Sequence, residues 1–556
     1  MDEGTRIRRR RPEGLLAAAV AATLVASLLG AFAAEPAGAA TVPGTPTAVN
    51  SVASSGSATV SWSAPVATGG KVITGYSVTP YVGFFPMPTR IFASKATTQV
   101  VTGMTNGWTY RFKVAAINSV GTGPQSIVSN PVVPAPVVTP PSPTEFVHPG
   151  VLVSGADLDF VRAQIAAGRE PWKSALDSTL GSYSSESTAL RPTRYRYSSL
   201  SYQPAAVAAV QEGGDSAAAY IAAHPELGLK QVGGTEHIDD AIAAYTHALL
   251  WYYTGNSAYA KKSIEIMNAW SSTLKEIKFD TPVRVDNGER VFGNGKLQAG
   301  WGGSLFARAA EIIRYTGGGW NTGDVAKFET LLRNVYLPLT VSGWSNTPNW
   351  MMTLTEATVG IGVFLNDRAT FDAGVAEWRA KAPTTIYMAS DGSLPKAPAS
   401  WYDTTAEMNE LWYYPSSYVT GLQGETLRDI SHMALGLGAM SNTAQTARIQ
   451  GVDLFKEQQA RIIAGYERSA DYVNQYLDQV AALGGAEPAS TWRPTGWVGA
   501  TFTVGGLGYK GGWEVAYSHY AIDLGVDMPS TARLVARLRP SQPLLNTTWE
   551  TLTSAQ

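Results

Sequence analysis

The sequence predicts two unlike parts in one chain: a small all-β sandwich, then a large all-α domain built as an incomplete (α/α) toroid. Two changes of pattern lead there. Between residues 43 and 133, short alternating runs stand between turn residues with no helical period. From Phe146 onward, amphipathic helical runs follow one another for roughly 400 residues with few strand signals. Composition adds limits on function. Lys and Arg total 42 against 44 Asp and Glu, a net charge of −2, which argues against a nucleic-acid partner. Charged residues are only 15%, while there are 16 Trp and 25 Tyr, a surface chemistry suited to an extracellular protein that handles sugars. The chain has no cysteine, so disulfides, thiolate metal sites and a cysteine nucleophile are excluded.

Residues 1–40 read as an export signal. Arg6 and Arg8 to Arg11 make a positive leader, Leu15 to Ala34 is apolar, and Ala37-Gly38-Ala39 offers a small-residue cleavage site. A single membrane anchor is the alternative, less suited to the Ala-rich core and the A-x-A end. The expectation is a secreted, extracellular protein with no membrane contact after cleavage, acting as a monomer.

Residues 41–133 form the β module. Its runs alternate around Val60 and Trp62, around Tyr76 and Val78, and around Phe112 and Val114, with turns at Gly69-Gly70 and at "GTGP". Nothing there clusters His, Asp or Glu, which makes it a spacer, with weak polysaccharide binding through Trp108 or Tyr81 as the alternative. Residues 134–144 continue a proline-rich stretch that favours extended polyproline II and forms a semi-rigid linker.

Residues 145–556 form the helical part. Runs are expected at 156–168, 203–222, 237–254, 257–275, 297–315, 323–340, 349–365, 369–381, 425–440, 444–476 and 512–525. No fixed repeat is found, which disfavours a solenoid and leaves the toroid, whose inner helix ends would form a cleft for a polymer.

All six histidines lie in this part, without H-E-x-x-H spacing, so a zincin site is absent. His237 with Asp239 and Asp240 is the one metal-like cluster, more simply read as acids at a helix N-terminus. No metal and no cofactor are expected. At helical spacing Glu425, Arg428, Asp429 and His432 share one face of a helix otherwise made of Ala, Leu, Met and Gly. A solvated ion-paired face would normally carry more Lys and Glu, so this stripe reads as functional. Asn349 follows Pro348 at a helix start, either as a plain cap or with its amide gripping a carboxylate. In "GGWEVAYSHY", Trp513, Tyr517 and Tyr520 share a side, and buried phenols need partners.

Two resemblances follow from these residues. With Pro43 and Pro46 at its start, Trp62 on the second strand and Tyr110 before "RFKVAAINSVGTGPQS", the β module resembles a fibronectin type III domain. The helical part resembles the alginate lyase family of polysaccharide lyases, in its branch acting on alginate or glucuronan. The motifs are "HPGVLVSGADLDFVRAQIAAGREPW", "LQAGWGG", "PNWMMTLTEA", "GETLRDISH", "GGWEVAYSHY" and "MPSTARLVARLRP". The resemblance implies an Asn that neutralises the substrate carboxylate, a His, a catalytic Tyr and often an Arg. Asn349 matches the first; Trp350 stands where some relatives carry the His, so His432 is expected to supply the imidazole. Tyr520 matches the tyrosine, with Tyr517 as rival. Trp513 replaces an arginine of those relatives, which passes that role to Arg428. Gln298 matches a polar cleft residue, and Glu425 is expected to orient its neighbours.

The implied partner is an anionic polysaccharide, and the implied reaction is β-elimination, giving 4,5-unsaturated uronate ends. A toroidal glycoside hydrolase, pairing Glu425 with Asp403 or Glu356, is the competing enzyme. A non-catalytic polysaccharide binder is the competing class.

Overall fold

A computed structural model describes residues 39–54, 56–83, 85–104, 108–134, 145–183, 207–208, 234–277, 282–286, 289–292, 295–343, 347–400 and 402–556. Residues 1–38 of the expected export signal, the expected linker from 135 on, His224 and most of the run at 203–222 lie outside these residues. Within that run, Val207–Ala208 is described, and it pairs in parallel with Glu276–Ile277 rather than lying in a helix.

The first domain is a β-sandwich. One sheet joins β1 (Thr47–Ser54), β2 (Ser57–Ser63) and β6 (Thr98–Thr102). The other joins β3 (Ile73–Val82) to β4 (Phe85–Pro86), β5 (Arg90–Phe92) and β7 (Tyr110–Asn118). Alternation sends Val60, Trp62, Tyr76, Val78, Phe112 and Val114 inward, where all are buried. Trp62 meets Tyr76 edge-on at 4.9 Å between ring centroids.

Two helices, α1 (Gly155–Ala166) and α2 (Trp172–Tyr183), lead into the second domain. Ser154 caps α1 and exchanges bonds with Asp157 in a capping box. Among the described residues four hairpins follow. Their first helices are α3 (Gly234–Thr254), α5 (Gly295–Tyr315), α7 (Pro348–Phe364) and α9 (Ile430–Ile449). Their return helices are α4 (Ser257–Thr273), α6 (Thr322–Leu331), α8 (Arg368–Thr385) and α10 (Gln459–Ala482). The first helices pack side by side in the order α3, α5, α7, α9 and form an inner layer; α5 and α7 are buried almost throughout. They run parallel: Gly300 faces Thr353 and Gly303 faces Ile361, Gly302 faces His237, and Gly436 faces Asn349. This is the architecture of an incomplete (α/α) toroid. Among the described residues, no helix is long and apolar enough to cross a membrane.

Glycine sets the inner spacing. A Cβ on Gly302 would stand 2.2 Å from the His237 ring, and one on Gly438 would stand 2.5 Å from Thr547. Some of the polar groups inside form close networks. Arg308 binds Glu356, which also accepts from Asn546 at 2.8 Å. The His237–Asp239–Asp240 cluster is partly core. His237 Nε2 meets the Tyr336 phenol at 2.6 Å, and Asp240 accepts the Trp270 indole N–H at 2.7 Å.

The β module is docked rather than tethered at a distance. Trp108 meets Phe160 of α1 edge-on at 4.7 Å, so it is an interdomain contact and not a free sugar platform. The Thr109 hydroxyl hydrogen-bonds Asp523 at 2.7 Å.

Burial pulls His237 down to about 4, and His247 and His519 to about 3. The unfolded chain takes up these protons near pH 6.5, whereas the folded chain does not until much lower pH. Stability should therefore fall as pH drops from about 6.5 toward 4. Urea midpoints across that range should show the slope, and His237→Gln should reduce it.

Candidate active site

The inner helices bring their N-terminal ends to one side of the domain. There the chain forms a buried turn, residues 423–429, before α9. Gln423 pairs with Ile386 in an isolated bridge, and Gly424 N–H donates to Thr385 O at 2.9 Å. Asp429, in extended backbone, is the N-cap of α9, and its carboxylate accepts from His432 N–H at 2.9 Å.

This corrects the expected helical stripe. Glu425, Arg428 and Asp429 precede α9 and do not share a helix face with His432. The turn and the cap bring them together instead. Helical periodicity extends through "GETLRD" in the sequence, where the backbone is in fact a tight turn.

The cluster is closely bonded. Glu425 accepts the backbone N–H of Asn349 at 2.7 Å on one oxygen and Arg428 Nη1 at 3.0 Å on the other. Burial raises the Glu425 pKa, outweighing the Asn349 N–H and the charges of His432 and Arg428. Burial would also raise Asp429, but hydrogen bonds from the His432 ring and N–H, with the Arg428 charge, hold it below its ordinary value. His432 Nδ1 lies 2.7 Å from Asp429 Oδ2. The carboxylate calls for the proton on Nδ1, which leaves a lone pair on Nε2.

Access differs between these groups. The Arg428 side chain is 36% exposed and that of His432 is 25% exposed. Asn349 has no solvent access. Among the described residues its side-chain N–H2 has no partner, and neither does that of Gln423. The Gln423 amide and the Asn349 backbone both lie beside Gly436, where a Cβ would stand 2.9 Å from Gln423 Nε2 and 3.3 Å from the Asn349 backbone nitrogen. Buried, unpaired donors on these two neighbouring residues are unusual, because each forgoes a hydrogen bond it would have in water.

Tyr520 is not among these residues. It is fully buried, and its phenol donates to Phe455 O at 2.7 Å, just past the C-terminal end of α9. Burial pushes its pKa far up. His432 is in the first turn of the same 20-residue helix, so the two ends lie roughly 25 Å apart at 1.5 Å per residue. Tyr517 is half-buried on the same terminal segment; burial raises its pKa, with Arg539 and Glu514 as the nearby charges. Among the described residues no contact joins it to His432. Gln298 is buried beside His237, and among the described residues no hydrogen bond links it to Asn349, Arg428 or His432. Glu356, locked to Arg308 in the core, is unfit as half of a hydrolase pair.

A different phenol is at the site. Tyr413 stands against Arg428. Burial raises its pKa, Glu425 adds to that, and the charge and hydrogen bond of Arg428 oppose it. Tyr413 and Tyr414 follow a short helix, Thr405–Leu411, and both hold left-handed backbone, φ 59° and 55°. Such conformations cost a non-glycine residue energy and concentrate at functional sites. The rings of Tyr402, Tyr413 and Tyr414 line a cleft of about 520 Å³ that reaches Thr347, the N-cap of α7. Glu407 and Glu410 share its wall. The aromatic pair before Pro415, in "ELWYYPSS", was the available signal in the sequence.

Asn is as good an N-cap as Asp, but it cannot hold the imidazole proton in the same way. Asp429→Asn should therefore leave the unfolding midpoint nearly unchanged while turnover falls roughly 100-fold or more. Asp429→Ala should lose turnover and also about 1 kcal/mol of stability by denaturant titration.

Comparison with known proteins agrees with the two-domain layout. Residues 223–478 match the alginate lyase family, and residues 43–132 match the fibronectin type III domain. No curated protein matches the chain. Among solved structures, titin domains A168–A170 match at 26% identity, covering 17% of this chain and 33% of that one, with a TM-score of 0.16. The twitchin kinase region from C. elegans matches at 21% identity, covering 17% of each chain, with a TM-score of 0.16. This chain thus spans a third or less of those two proteins.

Proposed function

From a chain that carries an alginate lyase family domain behind a fibronectin type III domain, we propose a secreted enzyme that cleaves a uronate polymer, alginate or glucuronan, by β-elimination. The family domain supports polysaccharide lyase activity in general. The observation that carries the finer reading is the grouping of Arg428, the Asp429–His432 pair and Tyr413 beside the unpaired amides of Asn349 and Gln423.

The reaction removes the proton on C5 and expels O4 from C4, forming the C4–C5 double bond. The C5 proton is barely acidic while the adjacent carboxylate keeps its charge, so donors must stabilise the dianionic intermediate. Arg428 and the Asn349 and Gln423 amides supply those donors. Gln298, set beside His237, has no part in this scheme. Because Asn349 is fully buried, the carboxylate reaches its amide only after a local rearrangement that precedes chemistry.

His432 Nε2 is the base that takes the C5 proton, with Asp429 stabilising the imidazolium. Tyr413 is the acid that gives its proton to O4. A phenol whose pKa is raised stays protonated near neutrality, which suits a donor. Glu425 orients Arg428 and the start of α7. Export through a cleaved signal at residues 1–40 completes the proposal.

The unsaturated product absorbs ultraviolet light, and a hydrolase product does not. Tyr413→Phe should lower kcat at least about 100-fold with the fold intact. Tyr520→Phe should keep kcat and lose only about 1 kcal/mol of stability, the worth of one buried hydrogen bond. The reverse pattern would restore Tyr520 to the scheme. Asn349→Ala should cost roughly 100- to 1,000-fold in kcat. Polymannuronate, polyguluronate and glucuronan assayed side by side would identify the polymer, and no absorbing product from any of them would reject the reading.

A further inference from the structure

On the face of the β module that meets the helical domain, strand alternation sends Phe112 and Val114 into the sandwich core. The same alternation turns Arg111 and Lys113 outward. Tyr81 pairs in register with Arg111, so the three side chains share one face. The Lys113 ammonium stands 5.1 Å from the centroid of the Tyr81 ring.

These residues form one wall of a cleft of about 350 Å³, and Ala521, Ile522 and Gly525 of the helical domain form the other. Among the described residues no carboxylate lines it. Arg111 is partly committed, donating to Ile522 O at 3.1 Å. Lys113 has no ion-pair partner among the described residues, and it makes no bond across the interface. As interdomain glue it is idle, and its charge faces an open cleft.

We infer that this cleft is a second binding site for an acidic sugar of the polymer, distinct from the catalytic cluster. The Tyr81 ring offers an apolar face to a pyranose ring, and the two cations offer partners for its carboxylate. The inference rests on the uronate-polymer reading for the choice of ligand, but not on catalysis.

Native gels containing alginate, glucuronan or neutral dextran test it, using the full chain with His432→Ala to keep the polymer uncut. Both polyanions should retard the parent, and dextran should not. Lys113→Ala and Tyr81→Ala should each weaken retention about fivefold, with the Lys113 effect shrinking as salt rises. Lys71→Ala, at an exposed lysine of the same module, should change nothing. In the otherwise unaltered enzyme, Lys113→Ala should leave turnover of short oligosaccharides unchanged while raising KM for long polymer.

Retention undiminished in Lys113→Ala, or equal retention by dextran, would overturn the inference. So would loss of short-oligosaccharide turnover in Lys113→Ala, because the substitution would then be acting through the catalytic domain. Lys113-dependent retention without any unsaturated product would support the cleft and reject the lyase reading.

Discussion

Glu425 loses its water where the turn before α9 meets the first turn of α7, and its oxygens are matched there from two directions. One takes the Asn349 backbone N–H at 2.7 Å and the other takes Arg428 at 3.0 Å. A buried carboxylate is tolerated only when its lone pairs are satisfied, and losing one partner leaves an uncompensated charge. The start of α7 and the direction of the Arg428 guanidinium are therefore fixed together. Asp429 adds a parallel constraint, since one carboxylate both caps α9 and holds the imidazole. Helix termination and the placement of reactive groups are, at this point, the same set of bonds.

The parallel inner layer gives that arrangement its setting. Four helices present their N-terminal N–H groups and the positive ends of their dipoles to one side. An anionic substrate fits such a field, although Glu407 and Glu410 in the adjoining cleft work against it. The opposite side carries the docked β module and the Tyr520 segment. The proposed polymer chemistry and the domain docking thus occupy opposite ends of α9.

Much of this was legible in the sequence. The change of period near residue 146 marked the two architectures, and most helices of the toroid lie within a few residues of their expected bounds. Asn349 was singled out by its place at a helix start together with the family resemblance, and His432 by the cluster of ionisable residues in an apolar stretch. The stripe at 425–432 was right about proximity and wrong about cause, because periodicity cannot distinguish a helix turn from a capped turn leading into one. Tyr520 was carried by motif likeness, and the motif did not show that its phenol is used up by the Phe455 carbonyl. Tyr413 lies outside the motifs of the resemblance, and its one signal, the aromatic pair before Pro415, does not show that the chain turns back to Arg428. The contact of Trp108 with α1 depends on docking between domains, which no local pattern encodes.

The glycines of the inner helices carry a consequence for substrate fit. Gly300, Gly302, Gly436 and Gly438 let Thr353, the His237 ring, Gln423 and Thr547 approach until a single methyl group would collide. The calibre of the ring at its working mouth is therefore set by atoms that are absent. Alanine at Gly300 would press on Thr353 of α7, and alanine at Gly302 on the His237 ring of α3, so the neighbouring inner helix or its side chain would have to give way. The aperture offered to a polymer can change in this way while each reacting side chain keeps its identity.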